Sequence, residues 1–183
     1  MLRKGFTLIE IMIVVAIIAT LAMVAVAMYQ RYIERARNSA AQSLLQQLAL
    51  AEATTIIEAE TGGAPGGDFA FLSTSADIPV VKRLSDFGFR PDPQVGFVVL
   101  PLKSGASGFV AFAAHRGTHS SMYVYDDVSF TGVRPYQPGS SSVVDPPEKL
   151  PIFIMTGNPA DPIISTETVK VDIATGLVTS SGP

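Results

Sequence analysis

Residues 6–28 read FTLIEIMIVVAIIATLAMVAVAM, and this stretch decides what kind of chain the rest belongs to. From Ile11 to Met28 every residue is apolar except Thr20, and extending back to Phe6 adds only Thr7 and Glu10 as polar positions. At about 1.5 Å per residue such a helix is roughly 35 Å long, enough to cross a hydrocarbon core of about 30 Å. A buried core helix is rarely so long and so uniformly apolar. A secretory signal peptide has a shorter apolar region followed by a small-x-small cleavage site. Here the pattern runs on into Tyr29-Gln30-Arg31-Tyr32-Ile33-Glu34, which continues a helix. The expectation is a membrane-inserted helix that stays on the mature protein. Charge does not orient it, because Arg3 and Lys4 precede the run while Arg31, Arg35 and Arg37 follow it.

The same run explains the composition. The chain has 183 residues, 48% of them hydrophobic, and a mean hydropathy of +0.35, high for a soluble protein of this size; the excess sits in residues 6–28. The chain has no Cys, which removes disulfide scaffolds, thiol catalysis and thiolate metal sites. The net charge is -3, and residues 68–183 hold eight Lys and Arg against eleven Asp and Glu. Nucleic-acid binding needs a basic footprint, so no nucleic-acid partner is expected.

Glu10 is a carboxylate one turn inside the apolar run. At mid-membrane an acidic side chain costs roughly 2.5–3.5 kcal/mol on insertion scales, and less near the interface. Either Glu10 snorkels to water, or it meets a cationic partner in the membrane or in an assembly.

Gly5-Phe6-Thr7-Leu8-Ile9-Glu10, behind the short basic leader Met1-Leu2-Arg3-Lys4 and ahead of about 18 apolar residues, resembles the N-terminus of type IV pilins and type II secretion pseudopilins. The resemblance covers residues 1 to about 60. It implies that a prepilin peptidase cuts between Gly5 and Phe6 on the cytoplasmic side and N-methylates Phe6, and that the C-terminal domain lies outside. It also implies that Glu10 pairs with the N-terminal amine of a neighbouring subunit. Inside an apolar bundle such a pair holds only when complete, so it selects the axial offset at which a subunit docks. Many members of the family carry Gly near Ala19 and Pro at Ala27. Ala, a strong helix former, at both positions predicts a straighter, more continuous helix here.

Residues 29–61 continue as an amphipathic helix, with Ala41, Leu44, Leu45, Leu48, Ala51 and Thr55 forming a stripe at spacings of three and four. Asn38, Gln42, Gln46 and Glu52 are assigned largely to the rest of the wheel. The basic group Arg31, Arg35 and Arg37 and the acidic group Glu52, Glu58 and Glu60 read as solvated faces, with contact between axially offset subunits as the alternative. Residues 62–67, Gly62-Gly63-Ala64-Pro65-Gly66-Gly67, end the helix and link it to the exported part.

Residues 68–183 are rich in Gly, Pro, Ser and Thr with short β-prone runs. Val95–Leu102, Phe109–His115 and Met122–Asp126 suggest an antiparallel meander, entered through a turn at Ser85–Pro91. Val169, Val171 and Ile173 alternate with Lys170 and Asp172, and Ala174-Thr175-Gly176 turns into Leu177-Val178-Thr179, a terminal hairpin. Pro135–Pro151 reads as an exposed loop. The fold class expected is α+β and pilin-like: a long N-terminal helix packed on a small antiparallel sheet. The cysteine-free C-terminal region must then be held by strand pairing and packing, or by a bound cation.

No catalytic constellation, cofactor or metal site is expected. His115 and His119 straddle Gly117 between predicted strands, where helical metal spacing does not apply. Asp126-Asp127 lacks a spaced acidic calcium loop and reads as a turn with solvated carboxylates. There is no Gly-x-Ser-x-Gly elbow and no phosphate loop with a Lys. Tyr29 and Tyr32 fit a membrane-interface belt, with packing as their role.

The reading is a filament subunit, not an enzyme. It sits in the inner membrane before assembly, with lipid, the prepilin peptidase and an inner-membrane assembly platform as partners. It then joins copies of itself in an extracellular pilus, homopolymeric or mixed. A periplasmic pseudopilus of a type II secretion system is the alternative, and a membrane-anchored enzyme or receptor the remote one.

Overall fold

The computed structural model describes residues 5–61, 71, 78–102, 108–117, 120–127, 132–139, 144–158 and 161–179. The Gly62–Gly67 connection, His119 and the side chains of Glu58 and Glu60 lie outside the described residues. The chain divides into two units, residues 1–36 and 37–183, taken separately below. Helix α1, Leu8–Thr61, supplies residues to both.

The first unit is helical from Leu8 onward. Thr7 is its N-cap: the Glu10 N–H donates to Thr7 Oγ1 at 3.3 Å, and the Thr7 N–H donates to Glu10 Oε2 at 3.4 Å. This reciprocal arrangement satisfies two backbone donors that the first turn leaves without intrahelical partners. Thr7-Leu8-Ile9-Glu10 spells this capping box, a signal not used in reading Glu10 from the sequence. The helix runs unbroken through Ala19 and Ala27. Thr20, the lone polar residue between Ile11 and Met28, donates its hydroxyl to the Ile17 carbonyl at 2.8 Å, so it carries no free donor into an apolar medium. Every large apolar side chain from Phe6 to Met28 is exposed. Burying each would contribute about 1.5–3 kcal/mol.

In the second unit α1 turns its stripe inward. Ala41, Leu44, Leu45, Leu48 and Ala51 are buried, and Thr55 nearly so. Glu52 departs from the expectation of a solvated face, because its side chain is fully buried. The wheel explains it: 41, 45, 48, 52 and 55 recur at four and three, so Glu52 belongs to the stripe itself. This removes Glu52 from any charge contact between subunits.

A second helix, α2 (Ile78–Asp86), was not foreseen. It buries Val81 and Leu84, with Pro79 in its first turn, where a missing N–H is tolerated. Arg90 Nη1 donates to the Ser85 and Phe89 carbonyls at 2.8 and 3.1 Å, helping to close the helix end.

Seven strands follow: β1 Val95–Pro101, β2 Phe109–His115, β3 Ser120–Asp126, β4 Gly132–Pro135, β5 Lys149–Asn158, β6 Asp161–Asp172 and β7 Leu177–Thr179. All pairings are antiparallel, in the order β2-β1-β5-β6-β7-β3-β4. The expected meander is β1–β3, in register from Val95↔His115 to Pro101↔Phe109 and from Val110↔Asp126 to Ala114↔Met122. The terminal hairpin is β6–β7, turned at Gly176 with φ 69°. Because β2 pairs with both β1 and β3, the strands β1, β2, β3, β7, β6 and β5 close into a ring, and β4 lies beside β3 beyond the end of β7. Closure removes most of the free edges on which sheets aggregate.

Alternation along the strands divides the core in two. Val98, Phe112, Met122, Leu150, Ile152, Val169, Val171 and Val178 fill one cluster, within the ring. Phe97, Val99, Ala111, Ala113, Phe153 and Ile164 face the other way, in a cluster with α1 and with Val81 and Leu84 of α2. β1 and β2 are thus covered on both faces, which is why their sequences read as continuous apolar runs. Phe97 sits between Phe89 and Phe153, with ring centroids 5.2 and 4.9 Å away.

Pro135–Pro151, expected as an exposed loop, is partly buried among its described residues. Tyr136 is buried edge-on to Phe112 at 5.9 Å, Pro146 is buried, and β5 begins at Lys149 with Leu150 in the core. The Pro and Ser content masked these apolar anchors.

Candidate processing and assembly segment

Gly5 and Phe6 are both exposed just ahead of the capped helix. A methyl group built onto Gly5 meets nothing within 4 Å. The fold therefore imposes no need for glycine there, and a requirement for glycine would have to come from a molecule that grips this peptide. Glu10 is exposed and engaged in the cap. Its carboxylate, the Thr7 hydroxyl and the backbone ahead of Leu8 make a compact polar head on an apolar rod, with a negative group at the end where the helix dipole favours one.

The other residues weighed from sequence do not assemble into a reactive site. His115 ends β2 half-buried, with Nδ1 2.7 Å from the Arg116 carbonyl. Burial holds the imidazole below its usual 6.5. The nearby Arg37 charge adds to this, against the Arg116 carbonyl bond and Asp92. Arg37 lies over Gly117, where a Cβ would come within 3.1 Å of its Nη1. The folded state prefers the neutral ring, so the stability His115 contributes is complete above about pH 6.5 and is lost as pH falls toward the lowered folded value. Melting temperatures at pH 7.5 and 5.5 should therefore differ less in His115→Gln than in the parent chain; an unchanged difference would refute the assignment.

Asp126 and Asp127 are not a solvated turn. Asp126 is 1% exposed and accepts from Arg134 Nη2 at 3.0 Å, tying β3 to β4. Asp127 Oδ1 accepts the Phe109 N–H at 3.1 Å, tying the end of β3 to the start of β2. Both carboxylates are spent on strand closure. Among the described residues no group of three or more acidic or His side chains is placed to hold a metal.

The first unit is thus a capped, exposed apolar helix long enough to cross a membrane, and in the second unit the rest of α1 packs with the β strands. Residues 1–26 match the family described as the prokaryotic N-terminal methylation motif. The type IV major fimbrial protein FimA of Dichelobacter nodosus is 47% identical over 62 residues, covering 34% of this chain and 40% of that protein. The fimbrial protein of Pseudomonas aeruginosa is 48% identical over 56 residues, 31% of this chain and 36% of that one. The fimbrial protein of Neisseria meningitidis serogroup B is 44% identical over 78 residues, 42% and 45% of the two chains. This chain spans about 40% of the length of the first of these curated relatives. No solved structure matches it. Over its N-terminal third this chain is similar to type IV fimbrial proteins.

Proposed function

We propose that the chain is a structural subunit of a type IV pilus-like filament. It is inserted in the inner membrane with residues 68–183 outside, cut between Gly5 and Phe6 by a prepilin peptidase and N-methylated at Phe6. An inner-membrane platform then adds it to other copies, alone or with related subunits. The observation that carries the reading is the exposed apolar half of α1. Fifteen large apolar side chains between Phe6 and Met28 lack cover within the fold, and lipid before assembly and neighbouring helices after it would supply that cover. Cutting after Gly5 removes Arg3 and Lys4 and places a new ammonium one residue before the Thr7–Glu10 cap.

Shearing the cells tests the reading: the polypeptide should appear in the filament fraction, with a mass that begins at methyl-Phe6. Recovery only with the membranes would sink it. Gly5→Val should leave the chain full length, since the fold has room for the side chain and only the peptidase would reject it. A mature species beginning at methyl-Phe6 in that variant would refute the assigned site.

A further inference from the structure

A cleft of about 570 Å³ opens between the end of α2 and the tip of the β5–β6 hairpin. The hairpin tip reaches past its neighbours: β5 meets β1 at Gly96↔Ile152, and β6 meets β7 only from Lys170 onward, so Phe153–Asn158 and Asp161–Thr166 pair with each other. Thr156, Gly157 and Asn158 are exposed there.

The lining selects a ligand class. Lys82 and Arg90 face Asp86 and Asp161, so the formal charges balance. The Lys82–Asp161 pair spans the cleft at 3.5 Å but is largely exposed, so a ligand can separate it at little cost. Ser85 and Thr156 add hydroxyls that donate to the Lys82 and Ile163 carbonyls and so face a ligand as acceptors, Asn158 adds an amide, and Met155 and Pro162 give a small apolar contribution. The adjoining end of α2 is its C-terminus, whose carbonyls repel anions, which argues against a phosphate-rich ligand. Arg90 offsets those carbonyls. Its Nη1 is held by the Ser85 carbonyl of α2 and by the Phe89 carbonyl that follows the helix, leaving Nη2 and Nε without a partner among the described residues. A guanidinium fixed in this way loses little freedom on binding and presents a flat fork suited to a carboxylate.

We propose that this cleft binds an acidic sugar, a uronic-acid residue of a surface or matrix polysaccharide. Its carboxylate sits on Arg90 and its hydroxyls on Asp86, Thr156 and Asn158. One carboxylate with several hydroxyls matches the single available fork and the surrounding neutral polar groups. A doubly charged phosphate or a metal ion matches neither.

The test uses the full-length chain in detergent micelles, so it does not depend on filament assembly. Titration with digalacturonic acid, followed by NMR or calorimetry, should give saturable binding, and methyl glucoside should bind at least about tenfold more weakly, because it lacks the charge-assisted contact. Arg90→Gln should raise the dissociation constant for digalacturonic acid about tenfold or more. Thr156→Val removes an exposed hydroxyl whose 3.3 Å bond to the Ile163 carbonyl sits beside intact strand pairing, and should weaken binding with at most a small fall in melting temperature. No saturable binding by the parent chain would overturn the proposal, as would equal affinity for the neutral sugar. Unchanged affinity in both variants would also overturn it.

Discussion

Glu10→Gln is expected to abolish sheared filaments while leaving a membrane-bound, processed subunit with its helix intact. Glutamine at this position still accepts the Thr7 N–H, because a capping box works with either Glu or Gln. What Gln removes is the charge. If Glu10 meets the amine of a neighbouring Phe6 in an apolar bundle, the variant leaves that ammonium without a counter-charge. Removing one partner of a buried ion pair costs about 3–5 kcal/mol, about a hundredfold or more per docking step. Glu10→Ala removes both the charge and the side-chain half of the capping box, while the backbone N–H of residue 10 still donates to Thr7 Oγ1.

The two variants therefore separate two roles of one carboxylate. Filament loss in both places the weight on the charge. Normal filaments from Glu10→Gln with loss in Glu10→Ala would reduce Glu10 to a helix cap, and the register proposal would fall. The cap geometry gives this comparison its force, because it shows a complete local role for Glu10 within a single chain.

Gly96→Val is expected to lower the stability of the β domain by about 1–3 kcal/mol or more, the usual range for overpacking a filled core. Gly96 lies where β1 meets β5, opposite Ile152. A Cβ there would stand 3.1 Å from Val169 Cγ2, 3.2 Å from Leu150 Cβ and 3.2 Å from the Pro151 carbonyl oxygen. Only the Val169 methyl can swing aside. The other contacts are backbone or directly attached to it, so β5 itself would have to retreat, opening the ring at the junction of β1 with β5. Chemical denaturation of the parent and of Gly96→Val, with Gly96→Ala as an intermediate step, measures the effect. Equal midpoints would mean that the two strands are not held so closely.

Much of this arrangement could be read from residue periodicity. The α1 stripe from Ala41 to Thr55 is a 3.6-residue pattern in a helix-favouring context, and the structure buries every member. β1, β2 and β3 are short apolar runs separated by Gly-containing turns, and they pair in chain order. What escaped was governed by contacts distant in sequence. Glu52 satisfied the stripe by position but not by chemistry, so polarity misdirected its assignment. In α2, Ile78, Val81 and Leu84 give too few repeats for a firm helical period. The β5–β6 hairpin alternates correctly at Leu150, Ile152 and Ile154, but it follows a Pro-rich stretch that reads as loop. Ring closure depends on β7 lying between β6 and β3, a pairing no local pattern encodes. In the candidate processing segment Gly5, Phe6 and Glu10 stand out as a motif, whereas the cap at Thr7 needs the three-residue spacing to be read as backbone chemistry.

The unbroken helix through Ala19 and Ala27 has a mechanical consequence. A rod with a weak section gives way there when pulled, trading hydrogen bonds for length and absorbing the load. This rod has no section preset to yield. Each peptide N–H from Ile11 onward is locked to the turn before it, and Thr20 adds a side-chain tie to Ile17. Under tension, a fibre built on such a spine would resist elongation until subunits slid past one another. It would behave as a stiff cable, failing at its joints, where a spring would stretch.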